Sequence, residues 1–462
     1  MSDVAVVEEL GAELRDPVRG DVIEPGDSGY DEARALYNAM IDKRPALIVR
    51  CRDVADVIAA VNFARDRGLE TAIRGGGHNG GGLGSVDDGL VLDLSTMNNV
   101  RVDPGARTVT VGGGALLGDV DHATHACGLA VPAGIISTTG AAGLTLGGGT
   151  GHLTRGHGLT IDNLLSADLV LADGSFVQAS EDENEDLFWA IRGGGGNFGV
   201  VTSLTYRLVP VRNVVGGPMF WPVERAEEIL DWYRGFIGEQ PESLGGFFNF
   251  HSIPPAPPFP EELHLHKMCG VVWCSTDLER ADELLAPARA LEPSLDAVQE
   301  LPFPVLNSLF DGLYPAGDQW YWRADFVAEI PDEAVALHAE WGAKMATWKS
   351  GMHLYPIDGA QQKVGKNDTA WSYRDANFAQ VIIGVDPDPA LKDEIKEWCV
   401  DYFEALHPYS LGGGPLNMMG LEEGQGRVQA TYRDNYERLT QIKSKYDPDN
   451  FFHRNNNIAP AA

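Results

Sequence analysis

The chain has 462 residues, 44% hydrophobic and 9% aromatic, enough to bury a large core, which excludes a disordered polypeptide. Thirty-five basic residues against 67 acidic ones leave a formal charge of −32. That field repels phosphate backbones and anionic lipid surfaces, so no nucleic-acid or membrane partner is expected.

Along the chain, short β-like runs are predicted at Ala46–Cys51, Leu90–Leu94, Thr108–Val111, Ala167–Leu171 and Val200–Leu208. Helical spacing falls at Val54–Arg67 and Leu116–Cys127. This alternation argues for an α/β or α+β domain with its core at 42–211. Beyond Val211 come a proline-rich loop at 253–260 and longer candidate strands at Leu244–His251, Leu263–Cys274, Tyr321–Ile330 and Phe378–Val385. Helices are predicted at Ala226–Phe236, Leu278–Ala290, Asp332–Trp348 and Ala390–Leu406, which fits an antiparallel sheet backed by helices. A last helix is predicted over Gly426–Lys445. The expected division is 1–213, 214–425 and 426–462.

Cys51, Cys127, Cys269, Cys274 and Cys399 form neither a disulfide framework nor a CxxC zinc pattern; Cys269 and Cys274, in an apolar run, read as small core residues, and a reducing compartment is expected. The N-terminus shows no basic segment leading into an apolar one, and no apolar run reaches ~18 residues, so a cytoplasmic protein is expected. His251, and the HxH pair His264 and His266, read as exposed, and no metal site is expected.

The 54 glycines are concentrated in runs at 75–84, 112–118, 140–151 and 193–199, which suggests a backbone lying very close to a large ligand. The first run follows a strand, but no helix follows it and no acidic residue closes a second strand, so a dinucleotide fingerprint is rejected. A phosphate loop needs Gly-Lys-Ser/Thr, and no lysine lies near these runs. Successive backbone N–H groups can hold a diphosphate without one.

Four strings carry a specific resemblance: IRGGGHN (73–79), PAGIISTTGAAGLTLGGGTGHLTRGHGLTIDNLL (132–165), LFWAIRGGGGNFGVVT (187–202) and NYERLTQIKSKYDPDNFFHRNNNI (435–458). They resemble the FAD-linked oxidases of the vanillyl-alcohol-oxidase superfamily, in its berberine-bridge-enzyme-like branch. The resemblance implies an α+β, two-domain protein. A PCMH-type FAD-binding fold would be joined to a substrate domain of antiparallel sheet backed by helices, with 426–462 returning to the FAD domain. Arg74, Gly75, Gly76, Gly77, Asn79 and Gly82 would belong to the loop that cradles the FAD diphosphate, and His78 would carry the flavin 8α-methyl group. Further FAD contacts are implied at Pro132, Gly134, Thr138, Thr139, Gly140, Gly143, Leu144, Gly148, Gly149 and Gly151. Asn197, Gly199 and Val201 would meet the adenine and ribitol side, and Asn457 the flavin edge. Doubly linked relatives carry Cys and His where this chain has Ile136 and Leu144, so a single link through His78 is implied.

In relatives the bulk at the position of Thr139 affects oxygen access to the flavin, so a threonine there implies oxidase or oxygenase behaviour rather than a strict dehydrogenase. Where relatives place a tyrosine base this chain has Pro415, two residues before Asn417, so another group must take the substrate's proton. Tyr321, His353, Tyr355 and Tyr373 are the candidates, each in or beside a middle-domain strand. Trp221, Trp320, Trp322 and Trp371 suggest an aromatic-lined cleft. The expected activity is hydride removal from an alcohol, amine or activated C–H of a small molecule, with O2 as acceptor. The alternatives are a flavin-dependent monooxygenase acting on a polyketide-like or phenolic metabolite, and a flavin-binding protein without turnover.

Overall fold

The computed structural model describes residues 3–461 of the protein. The helix Val54–Arg67 begins where the Asp53 carboxylate accepts the amides of Ala55 and Asp56 at 2.9 and 3.2 Å, and it ends at Gly68. It connects β2 (Leu47–Arg50) to β3 (Thr71–Arg74), and both pair in parallel with β4 (Leu90–Asp93); β1 (Asp21–Ile23) adds an antiparallel edge. A parallel pair needs a crossover of this kind, and its central strands are buried on both faces. Leu47, Val49, Leu90 and Leu92 are fully inaccessible.

The second sheet is antiparallel: β5 (Val100–Asp103), β6 (Thr108–Gly112), β9 (Val200–Arg207), β7 (Leu164–Val170) and β8 (Phe176–Ser180) lie in that spatial order. The third has eight strands. β10 (Asn213–Pro222), β12 (Lys267–Ser275), β11 (Leu244–Ser252), β16 (Gly351–Pro356), β17 (Phe378–Asp386) and β15 (Gln319–Val327) follow one another, and β13 (Leu295–Asp296) and β14 (Gln299–Pro302) both pair with β10. The helices Ala226–Phe236, Asp332–Ala343 and Lys392–Leu406 back one face of this sheet through Trp221, Phe248, Phe250 and Ile382. The other face carries Phe247, Trp320, Val381 and Ile383, which pack with Tyr37, Ile135 and Leu153 from the N-terminal half. The period of two along each strand therefore decides which side chains reach the junction.

Several elements differ from expectation. β10 is not among the predicted strands; it holds two glycines and two prolines, yet a side chain at Gly216 would meet the Trp273 carbonyl at 2.7 Å, so the glycine is a packing requirement of the strand. The strand expected from Leu263 starts only at Lys267. The C-terminal helix is two helices, Gly424–Tyr432 and Asn435–Tyr446, separated at Arg433, whose φ is 47°. Four of the five cysteines are buried; Cys127 is exposed. Among the described residues no helix is long and apolar enough to cross a membrane.

The last segment packs into the core of the second sheet through Leu439, Ile442 and Ile458. Its anchor is Lys443, fully buried, which donates to Asp447 and the Asn197 carbonyl, both at 2.6 Å, and to the Phe452 carbonyl at 2.9 Å. Asp447 in turn accepts the amides of Phe451 and Phe452. Asp447→Ala strands a buried ammonium and two amides, and is expected to cost about 3–5 kcal/mol, read as a lower urea midpoint.

Candidate active site

At the junction of the three sheets lies a cavity with about 2080 Å³ of empty space, part of it open to solvent. Its first wall is the turn after β3. Gly77 takes a left-handed φ of 69°, and the amides of residues 75–79 donate to no acceptor among the described residues. Buried or half-buried amides without partners are costly. A run of them facing a cavity is an anion site. Opposite stands the short helix Ala141–Leu146, led by Gly140. A side chain on Gly76 would sit 2.4 Å from the Gly140 nitrogen, so this pair of glycines lets two backbones touch. Gly143 differs. A side chain there would meet nothing within 4 Å, and the residue lines the cavity, so the packing of the helix does not require it.

His78 is clamped. Its ring stacks on Tyr37 with centroids 3.7 Å apart, and its Nε2 lies 2.9 Å from the Thr138 hydroxyl. Tyr37 is itself fixed by its hydroxyl on the Tyr314 carbonyl. Burial pushes the His78 imidazole down to about 4, so it is neutral near pH 7. Arg74, whose guanidinium is the one charge on the cavity wall among the described residues, is paired with buried Asp93 at 2.8 Å. Although burial works the other way, Arg74 holds that carboxyl below its usual range.

The far wall comes from the third sheet. β15 turns Trp320, Trp322 and Phe326 to the cavity, β17 turns Ala379, Val381 and Ile383, and β16 turns His353 and Tyr355. The Tyr355 hydroxyl lies 2.7 Å from His353 Nδ1; His353 Nε2 lies 2.8 Å from His251 Nε2. His251 Nδ1 lies 3.2 Å from the Tyr314 hydroxyl, which reaches the Lys349 carbonyl at 3.2 Å. Burial holds both imidazoles neutral, His251 down to about 4 and His353 well below the ordinary histidine range.

Most residues singled out in the sequence meet here: Arg74, Gly75, Gly76, Gly77, His78, Asn79, Gly134, Thr139, Gly140, Gly143, Leu144, Gly149, Gly199, Val201, His353, Tyr355 and Asn417 all line the cavity. Ile136 and Pro415 line it too, so no thiol or phenol stands at either position. Thr138 is not on the wall, but its hydroxyl meets His78. Gly82, Pro132, Gly148 and Gly151 lie behind the wall; the last two pack against the Trp371 ring and the Ala133 carbonyl.

Two candidate bases point elsewhere. Tyr321, one residue out of phase with Trp320 and Trp322, faces the helices and donates to Glu422 at 3.0 Å. Tyr373 donates to the Ala430 carbonyl at 2.8 Å, under the Arg433 guanidinium. Of the tryptophans, Trp221 is buried on the helix side. Asn197 is inaccessible and ties Gly194 to Asn456, and the cavity-lining amides of the C-terminal segment are Asn455 and Asn456 rather than Asn457.

His251 is buried, not exposed, because it shares the Phe247 face of β11. That parity was readable in the sequence once the strand was drawn. Tyr37, Asn38 and Tyr314 carried no such signal. Asn38 donates to the carbonyls of Gly80 and Trp320, both at 2.9 Å, and so joins the glycine turn to β15.

The FAD binding domain family matches residues 45–180, and the berberine and berberine-like family matches residues 415–459. An FAD-linked oxidoreductase of Dictyostelium discoideum is 30% identical over 453 residues, 97% of this chain and 96% of that protein. The chain belongs to the berberine-bridge-enzyme-like FAD-linked oxidoreductases. Within this family, the (R)-6-hydroxynicotine oxidase of Paenarthrobacter nicotinovorans is 42% identical over 205 residues, 44% of this chain and 45% of its own. The solved 6-hydroxy-D-nicotine oxidase from Arthrobacter nicotinovorans superposes with a TM-score of 0.84 at 28% identity, covering 96% of this chain and 98% of that one.

The berberine-bridge-enzyme-like cofactor, FAD, suits the residues present: unpartnered amides for the diphosphate, two touching glycine backbones, and open space at Gly143. Gly143→Leu fills that space without a backbone clash. It is expected to cost most of the bound flavin, read by absorbance. The far-UV circular dichroism of the apoprotein should stay unchanged, because leucine is the better helix former by up to ~1 kcal/mol.

Buried neutral histidines also set an acid dependence. His152 and His338 are pushed down to about 3 and His251 to about 4, against an ordinary 6.5 in the unfolded chain. From about pH 6.5 down toward 4 the unfolded state binds the more protons, so stability falls as pH falls. Neither ring nitrogen of His152 has a hydrogen-bond partner among the described residues. The melting temperature is expected to drop between roughly pH 7 and 5, and less steeply in His152→Leu.

Proposed function

We propose that the protein is an oxidase that takes a hydride from an alcohol, amine or activated C–H of a small organic substrate and uses O2 as electron acceptor, with FAD held by one covalent bond to His78. When bound, FAD supplies the hydride acceptor and hands two electrons on. The observation that carries the reading is a single cavity with His78, Thr139 and the glycine wall on one side and the Tyr355–His353 pair on the other.

Each residue then has a task. Thr138 engages Nε2 of His78; with the proton there, Nδ1 keeps its lone pair and is the nucleophilic atom. Tyr37 prevents the ring from turning away. Trp320, Trp322, Phe326 and Trp371 press a flat apolar substrate into place and exclude water, which shortens the search for a reactive geometry. Tyr355 accepts the substrate's proton while its own moves to His353 Nδ1, replacing the tyrosine that Pro415 lacks. Asn417, which donates to the Leu144 carbonyl at 2.9 Å, holds the loop of Pro415 against the glycine helix.

Acid precipitation tests the attachment: a yellow pellet is expected from the wild type and a yellow supernatant from His78→Ala. A colourless wild-type pellet refutes the link. With an alcohol or amine that bleaches the wild-type flavin, Tyr355→Phe is expected to slow bleaching by about 10²–10⁴-fold, and aerobic turnover should release hydrogen peroxide.

A further inference from the structure

The hydrogen bonds behind Tyr355 have a direction that can be worked out atom by atom. The Lys349 carbonyl can only accept, and the Tyr314 hydroxyl is its one hydrogen-bond partner among the described residues, so Tyr314 donates to it. The Tyr314 oxygen, its proton used, accepts from His251, which places a proton on His251 Nδ1. His251 Nε2 is then bare and accepts from His353 Nε2–H. His353 Nδ1 is bare in turn and accepts the Tyr355 hydroxyl proton. Any other assignment sets two donors or two lone pairs against each other in a buried site, where an unmade hydrogen bond costs its full desolvation. Both imidazoles stay neutral because burial penalises their charged forms, which keeps the pattern in place.

We propose that this one-way chain, with His251 and Tyr314 as positioning residues, makes Tyr355 a hydrogen-bond acceptor toward the cavity and so restricts substrates to those whose reacting group is an O–H or N–H donor. The proposal rests on the cavity being the substrate site, as argued above. A carbonyl, ether or tertiary amine would set its lone pairs against those of Tyr355. Arg74, the one charge on the wall among the described residues, is already paired, so none of those residues compensates a charged group. The proton step balances without electrons moving. The donor's O–H or N–H bond breaks and its proton bonds to the Tyr355 oxygen, the phenolic proton passes to His353 Nδ1, and the His353 Nε2 proton passes to His251 Nε2; His251 carries the added proton only while the step lasts, because burial makes both imidazoles neutral at rest. The Lys349 carbonyl closes the chain, so that proton returns by the path it entered.

Nitrogen-15 NMR of the histidine-labelled holoprotein, without substrate, reads the tautomers directly. His251 is expected as the Nδ1–H form and His353 as the Nε2–H form; the opposite tautomer at either position overturns the proposal. Calorimetry with phenol and anisole, alike except for the donor, reads the consequence: phenol is expected to bind on the order of tenfold or more tighter. In Tyr314→Phe the chain loses its fixed end, and the preference is expected to fall to about threefold or less. Equal binding of the two probes by the wild type also overturns the proposal. A wild type that made no peroxide would refute the oxidase reading and leave the tautomers as they are. Reversed tautomers in an active oxidase would refute only the chain.

Discussion

Gly76 and Gly140 come closer than any two residues with side chains could, their backbones meeting where a Cβ on either would lie 2.4 Å from the other's nitrogen. That contact sets the turn after the parallel sheet directly against the helix that follows Gly140, and the cavity exists because the two meet edge to edge. The amides of 75–79, on the cavity wall, have no acceptor among the described residues, and His78 is carried to the rim within reach of Thr138 and Tyr37. The same constraint explains why the glycines have different tasks. Those at 112–114 and 151 pack backbone on backbone, with a would-be side chain 1.7–2.3 Å from a carbonyl, whereas Gly143 opens onto empty space.

A charge of −32 makes an anionic cofactor an awkward guest, and the protein does not answer with lysine. It answers with partial charges. Backbone N–H groups are fixed dipoles that need no counter-ion and do not titrate, while the one guanidinium on the wall is neutralised by Asp93. Apart from that pair, the cavity wall is polar through groups that are neutral at rest: imidazoles kept uncharged by burial, phenols whose ionisation burial opposes, and amides.

The two halves of the molecule depend on each other through a few long-range polar ties. Asn38 joins the glycine turn to β15, Lys443 fastens the end of the chain to the loop of Asn197, and Asn417 joins the Pro415 loop to Leu144. Each of these residues lies far from its partners in the sequence, and no local pattern announces the pairing. The bend at Arg433 and the glycine-bearing strand β10 were hidden for a related reason: tertiary packing overrides what the local composition favours.

The amino-acid sequence by itself determined the class of the fold, the position of most elements, the glycine turn with His78, and the presence of isoleucine at 136 and proline at 415 in place of a cysteine and a tyrosine. Those depend on local spacing and residue type, which a chain displays without folding. Only the tertiary structure decided which candidate base meets the cavity. Tyr321 and Trp322 are neighbours in the chain, but the pleat of β15 sends them to opposite faces. His251 and Tyr314 join Tyr355 only because β11 and β16 lie side by side with the Tyr314 loop folded onto their inner face. Side-chain alternation is legible along one strand; which face becomes the inner one is settled when the sheet packs against the rest of the molecule.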